Sequence, residues 1–293
     1  MNRLPAPDNE FSCETAVRMQ RRVLVAGCGY LGTAVARLFH AQGWEVVAIT
    51  RTQASAEALG IEPFRVIACD LAEADALIKL GRFDAVIHCA SSSRGGADAY
   101  RRVYLEGARH LIAAFPAARL VFCGSTSVYA QEDGATVNEE SPAEPARETG
   151  QILRAAEGLI LAAGGTVARL GGIYGPERWA LRDKLVEGRA VIEGDGSRFV
   201  NAIHRADAAS AIRFLLTQPP GIYNVVDDTP TSQREVYAVL AGHFHSPLPP
   251  FAPPHLERKR GWTHKAVSNA KLRALGWVPI YPSFRDALPS DKE

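Results

Sequence analysis

Six short, almost uninterrupted apolar runs, at 23–26, 45–50, 64–69, 85–90, 120–124 and 166–170, alternate with amphipathic stretches, and this alternation constrains the fold more than any other feature. Strands covered on both faces read this way, because neither face alternates with solvent. Helical patterns lie between them, notably over 97–115 and 151–163. The order predicts an α/β fold: a Rossmann-type, doubly wound parallel sheet that places ligands at the carboxyl ends of its strands.

The first run leads directly into Gly27, Cys28, Gly29, Tyr30, Leu31 and Gly32. Glycine at the first position permits a tight turn, and at the second it lets backbone approach a pyrophosphate. At the third it lets the following helix pack closely on the strand, with the helix N-terminus facing the phosphates. Three glycines at this spacing are common in turns, so the context decides. Leu31, Val35, Leu38 and Phe39 share one helical face, Gly43 sits where a C-terminal cap belongs, and the second run follows at once. The segment therefore reads as a dinucleotide loop.

The end of the second run distinguishes between the two dinucleotides. NAD-selective sites place an acid there to accept from the ribose 2′-hydroxyl. Here the position is Thr50, followed by Arg51 and Thr52. A neutral residue does not repel a 2′-phosphate, and a guanidinium pairs with one. The expected cofactor is NADP(H), with NAD(H) as the alternative. Asp70 and Leu71, after the third run, are expected at the adenine.

Composition excludes several classes. The chain has 293 residues, 47% hydrophobic and 22% charged, with a net charge of +1, so no long-range attraction to nucleic acid or membrane is expected. No apolar run has the length of a membrane span. Residues 1–20 read as a flexible extension without the apolar centre of a signal peptide, and Met19 is a candidate natural start. Cys13, Cys28, Cys69, Cys89 and Cys123 show neither C-x-x-C spacing nor a Cys/His cluster. They read as free thiols in a reducing cytoplasm, with Cys28 reactive if exposed, and no metal site is expected.

The pattern changes after Gly175. The expected organisation is a dinucleotide-binding domain over 21–175, completed by about 202–226, and a small substrate lobe from 176–201 and 227–293. In the lobe, 180–187 reads as helix, while Ser232 and Glu235 have capping-box spacing. The second part of the domain contributes a helix over 206–216 and a strand over 222–226. Residues 247–254 hold five prolines and read as a stiff loop, and the run from Glu257 through Arg258, Lys259 and Arg260 as a solvated face.

With these elements placed, residues from about 22 to 288 resemble the extended and atypical short-chain dehydrogenase/reductases, the NAD(P)-dependent epimerase/dehydratase group. The motifs carrying the resemblance occur in the family's order. They are Val86 to Ser91, Ser125 to Tyr129, Ile173 to Pro176, Asn201 to Asp207, and Val267 to Leu272 with Leu275 to Trp277. The resemblance implies that Cys89, Ala90 and Ser91 lie beside the cofactor and that Ile173 passes the nicotinamide. It also implies a homodimer formed through helices flanking the fourth and fifth strands.

In the family a serine holds the substrate oxygen, a tyrosine moves the proton, and a lysine four residues later lowers the tyrosine's pKa and grips the ribose. An unassisted phenol, with a pKa of about 10, is a poor base at neutral pH. Ser125 matches the serine. About 25 residues later, at the expected helix start, Thr149 replaces the tyrosine and Leu153 replaces the lysine. Thr149 cannot ionise near neutral pH, and Leu153 can neither stabilise an anion nor donate to a ribose. Tyr129 is a candidate substitute acid, although the family position is structural, and His88 and His204 are further titratable candidates. Two expectations follow: an oxidoreductase or epimerase-like enzyme with a modified acid/base set, or a catalytically silent NADP(H)-binding sensor or scaffold.

The resemblance also bears on the ligand. A family arginine that grips a sugar-nucleotide diphosphate aligns with Val200, with Asn201 in place of the usual neighbouring acid. The expected ligand is therefore an unidentified small molecule other than a typical nucleotide-sugar. Arg198 is a candidate substitute grip, and Arg178, Arg182 and Lys184 add positive charge nearby.

Overall fold

A computed structural model describes residues 20–92, 95–257 and 262–289. The N-terminal extension with Cys13 and Met19, and Arg258, Lys259 and Arg260 of the charged run, lie outside the described residues. Seven parallel strands form the central sheet: β1 (Arg22–Ala26), β2 (Glu45–Thr50), β3 (Arg65–Ala68), β4 (Ala85–His88), β5 (Arg119–Ser125), β6 (Thr166–Leu170) and β7 (Ile222–Val225). Their spatial order is β7-β6-β5-β4-β1-β2-β3, which reverses direction at β1 beside β4. A ligand crevice opens at such a reversal in an open α/β sheet.

Burial follows the strand period. Val23 and Val25 enter one apolar cluster with Val35, Phe39, Ile212 and Leu215, whereas Leu24 and Ala26 enter the opposite cluster with Leu111, Leu153 and Ile160. Both faces are covered, which explains why the strands read as continuous apolar runs. Gly43, with φ of +79°, donates its N–H to the His40 carbonyl and ends the Tyr30–Ala41 helix.

The helical stretch after β4 is less regular than its sequence suggests. It consists of Ala97–Tyr100, a wider π-helical turn at Arg101–Glu106, and Gly107–Ala114. At Gly107 an added Cβ would lie 3.2 Å from Leu71 Cδ1 and 3.4 Å from His88 Nε2. Glycine there permits the run to lie close to the carboxyl end of β4.

After β6 the chain leaves the sheet, forms the Ala180–Val186 helix, and returns through Arg205–Leu215 to β7. Ser232 caps the Gln233–His243 helix by accepting from the Glu235 N–H at 3.2 Å. A third cluster, including Tyr174, Trp179, Leu185, Ile192, Val236 and Leu240, forms the core of the small lobe. The proline-rich loop contains a short strand, Phe251–Ala252, paired with Ile192–Glu193.

Candidate functional site

The carboxyl ends of β1 to β6 surround a cavity of about 550 Å³. Its first wall is the glycine loop, where each glycine has a distinct environment. Gly27 has φ of +99°, and a Cβ on it would lie 2.3 Å from the Ala90 backbone. A Cβ on Gly32 would lie 2.1 Å from the Gly27 carbonyl oxygen, whereas one on Gly29 would meet nothing within 4 Å. The outer two glycines thus answer to contacts within the chain, and the middle one leaves the approach to the backbone open. Gly27, Cys28, Gly29, Tyr30 and Leu31 line the cavity, while Gly32 lies beneath the turn and is absent from the lining.

The second wall comes from β2 and β3. Thr50, Arg51 and Thr52 line it together with Ser55. Thr50 is buried and donates its hydroxyl to the Thr52 carbonyl at 3.2 Å, while Arg51 is exposed. Asp70 and Leu71 lie beyond them; Asp70 accepts from Arg102 at 2.6 Å and from the Ala72 N–H at 3.0 Å.

Cys89, Ala90 and Ser91 form the wall after β4, and Ser125 and Ile173 extend it toward the small lobe. Ser125 Oγ accepts from the Ser127 N–H at 3.2 Å. Cys28, Cys69, Cys89 and Cys123 are unbridged, and all four border the cavity. Cys28 is buried beside Thr33, with 3.5 Å between Sγ and Oγ1, and burial raises its thiol pKa. The condition for its reactivity, exposure, is therefore not met. The Cys89 and Cys123 sulfurs lie 3.4 Å apart, and their mutual hydrogen bond together with burial raises the Cys89 pKa.

The other candidate catalytic residues lie outside this lining. Thr149 is buried near the start of the Glu148–Ala162 helix, which packs against β5 and the Thr126–Val128 turn. Leu153, on the same helix, belongs to the apolar cluster that contains Val128 and Tyr129. Tyr129, the candidate substitute acid, is fully buried, and its hydroxyl donates to Asn224 Oδ1 at 2.9 Å. Its ring packs under Arg169, with 4.8 Å to the centroid, and desolvation raises its pKa. Arg169 makes a buried two-point pair with Glu157 at 3.0 and 2.7 Å, so Tyr129 joins a polar brace inside the domain.

The histidines are also tied into the structure. His88 is completely buried, its Nε2–H donates to the Val103 carbonyl at 3.1 Å, and desolvation lowers its pKa to about 4. Nδ1 of His204 accepts from the Ala206 N–H at 3.3 Å, capping a helix, and burial lowers its pKa.

Several lining residues escaped the sequence reading. Val103 and Tyr104 reach the cavity from the π-helical turn, which no periodicity signalled. Arg178, anticipated only as nearby charge, lines the cavity and lies over the Tyr30 ring. Arg205 packs on Tyr30 as well, and the Tyr30 hydroxyl donates to the Pro176 carbonyl at 3.0 Å. At the expected diphosphate position, Val200 borders a separate cavity in the small lobe. Asn201 bridges to the Lys265 carbonyl and the Val267 N–H, and Arg198 lies 3.9 Å from Glu193.

A model of the NAD dependent epimerase/dehydratase family matches residues 23–225, from β1 through β7. The chain belongs to this family. Protein YeeZ of Escherichia coli (strain K12) is 31% identical over 237 residues, covering 75% of this chain and 83% of its own length. A 3-diazoavenalumate denitrifying reductase from Streptomyces sp. is 28% identical over 306 residues, covering 91% of this chain and 99% of its own. A solved candidate NAD-dependent epimerase/dehydratase from Methylobacillus flagellatus superposes with a TM-score of 0.74 at 28% identity, covering 91% and 96% of the two chains. This chain is an oxidoreductase-like member of a family described as NAD dependent.

Proposed function

We propose that this protein is an NADP(H)-dependent enzyme, an oxidoreductase or epimerase in type, that acts on a small molecule without the family's phenolate–lysine pair. The supporting observation is the cavity at the strand ends, where the approach to Gly29 is open and Arg51 follows a neutral Thr50. These residues fit a dinucleotide: the Tyr30 and Leu31 N–H groups at the helix N-terminus suit its pyrophosphate, and Arg51 with Thr52 suits a 2′-phosphate. When bound, the nicotinamide supplies or accepts a hydride. Ser125 hydrogen-bonds a ligand oxygen and does not act as a nucleophile. The replacement of tyrosine and lysine by Thr149 and Leu153 removes proton transfer through an activated phenol.

That replacement also supports a second reading, in which the protein is a silent NADP(H) sensor or scaffold. The four thiols among the described residues are unbridged, which suits a reducing compartment such as the cytoplasm. Among the described residues, no helix is long and apolar enough to cross a membrane. A homodimer remains part of the proposal through the family resemblance.

Calorimetric titration of reduced protein with NADP(H) and NAD(H) tests the cofactor assignment, and tighter or equal binding of NAD(H) overturns it. Hydride transfer to a panel of neutral carbonyl compounds, followed at 340 nm, then separates the readings. Turnover supports the enzyme, and binding without turnover supports the sensor. Reduction of a standard family substrate at about 1–1000 s⁻¹ would contradict the absence of phenolate chemistry.

A further inference from the structure

A second cavity, of about 130 Å³, lies in the small lobe and shares Gly172 and Ile173 with the cofactor cavity. An occupant of either space therefore touches the same segment. Tyr174, Trp179 and Phe284 supply aromatic walls, and Val200 and Val236 supply aliphatic ones. The Tyr174 and Trp179 rings lie 5.0 Å apart at 34°. An apolar cavity of about 150 Å³ holds one benzene molecule, so this volume suits a single ring.

Polar side chains also line the cavity: Thr229 and Thr231, whose hydroxyls donate to the Pro282 and Thr229 carbonyls, and Tyr174 and Asp227. The Tyr174 hydroxyl is buried and has no hydrogen-bond partner among the described residues. Such a group bears a desolvation cost that a bound oxygen relieves. Asp227 also lines the cavity and is 3% exposed. Burial raises its pKa to about 8, against a backbone hydrogen bond from Thr229, with Asp228, Asp207 and Asp286 adding to the rise. At neutral pH its carboxyl is therefore mostly protonated, a form that can donate. No basic side chain lines the cavity among the described residues, so an anionic substituent has no counter-charge.

We propose that this cavity is the substrate pocket for an uncharged, single-ring molecule whose one carbonyl or hydroxyl oxygen accepts hydrogen bonds from Tyr174 and Asp227. The inference deepens the proposed function and rests on reading the adjoining cavity as the cofactor site. It assigns the substrate class and identifies Tyr174 and Asp227 as substrate-orienting residues.

Saturation-transfer NMR on the full chain, with and without NADP⁺, tests the pocket using benzaldehyde, benzyl alcohol, benzoate, benzylamine and UDP-glucose as probes. Benzaldehyde and benzyl alcohol are expected to saturate, and benzoate, benzylamine and UDP-glucose to bind at least tenfold more weakly. Tyr174→Phe is expected to weaken the neutral probes about tenfold while leaving the NADP⁺ affinity within twofold. Val200→Phe enters from the partly exposed rim, fills the volume and is expected to abolish probe binding, which keeps the test independent of whether the Tyr174 variant folds. Failure of every probe to bind, preference for benzylamine, benzoate or UDP-glucose, or indifference to both substitutions overturns the inference. Binding of NADP⁺ without the neutral probes defeats the pocket and leaves the cofactor reading intact. Binding of the probes without NADP⁺ does the reverse: the ring site stands, and its assignment as a substrate pocket falls with the proposed function.

Discussion

The two cavities meet at Gly172 and Ile173, yet they are built from different materials. Much of the cofactor cavity is backbone: a glycine turn, strand ends and a helix N-terminus at the reversal of the sheet order. The small-lobe cavity consists of side chains contributed by segments far apart in sequence, with the polar groups of Tyr174, Asp227, Thr229 and Thr231 among aromatic rings. A backbone site restricts which residues can occupy it, because a Cβ in the wrong place collides. A side-chain site can be reshaped by substitution while its scaffold persists, which fits a family whose members share a cofactor and differ in ligand.

Glycine substitutions test the first half of this comparison and have the largest expected effect. Gly27→Ala places a Cβ against the Ala90 backbone at positive φ, with an expected cost on the order of 5 kcal/mol and loss of NADP(H) binding. Gly29→Ala faces open space, so it is expected to leave stability within about 1 kcal/mol and to lower cofactor affinity at least tenfold. Chemical denaturation and calorimetry measure both. Equal loss of stability in the two variants would break the comparison.

The pH dependence of stability distinguishes the regions with a smaller effect. His88, beside the cofactor cavity, titrates near 6.5 when unfolded and near 4 when folded. Its contribution is full above pH 6.5 and is lost as pH falls toward 4, by about 3 kcal/mol. Asp227 behaves in the opposite sense: its folded pKa is raised from 3.8 to about 8, so its contribution is present at low pH and is lost as pH rises through that window. Between pH 4 and 6.5 the two windows overlap with opposite signs, so in denaturation curves His88→Gln is expected to leave a fall in stability from pH 4 to 8, and Asp227→Asn a rise from pH 4 to 6.5 with no fall between 6.5 and 8. Unchanged slopes would mean that neither group sets the pH limits of its region.

Arg51→Ala has the smallest expected effect. Removing the guanidinium is expected to weaken NADP(H) by about 1.5–3 kcal/mol, or roughly 10- to 150-fold, and to leave NAD(H) unchanged. Equal loss for both cofactors would assign Arg51 to the shared part of the dinucleotide.

The sequence made the sheet and the glycine loop legible for the same physical reason that makes them tolerant of little change. Strands buried on both faces must be apolar throughout, and Gly27 and Gly32 answer to backbone lying within 2.3 Å of any added Cβ. Val103 and Tyr104 were not legible, because the π-helical turn that delivers them leaves no periodic signature in so short a stretch. Tyr129 carried the right functional group, but its burial against Asn224 and Arg169 depends on β7, about 95 residues later. The small-lobe cavity was hidden for a similar reason: Tyr174, Trp179, Asp227 and Phe284 share no motif, and only the folded lobe brings them together.

The four thiols around the cofactor cavity have a practical consequence. A reagent seeking Cys89 or Cys123 enters through the mouth that a dinucleotide would fill, so alkylation under alkaline conditions, which offset the raised Cys89 pKa, serves as a gauge of occupancy. The raised Cys89 pKa slows oxidation at neutral pH, and where oxidation does occur at the paired sulfurs, 3.4 Å apart, it changes the wall of this cavity. A preparation aged without reductant would then bind poorly and imitate a protein that had never bound a dinucleotide.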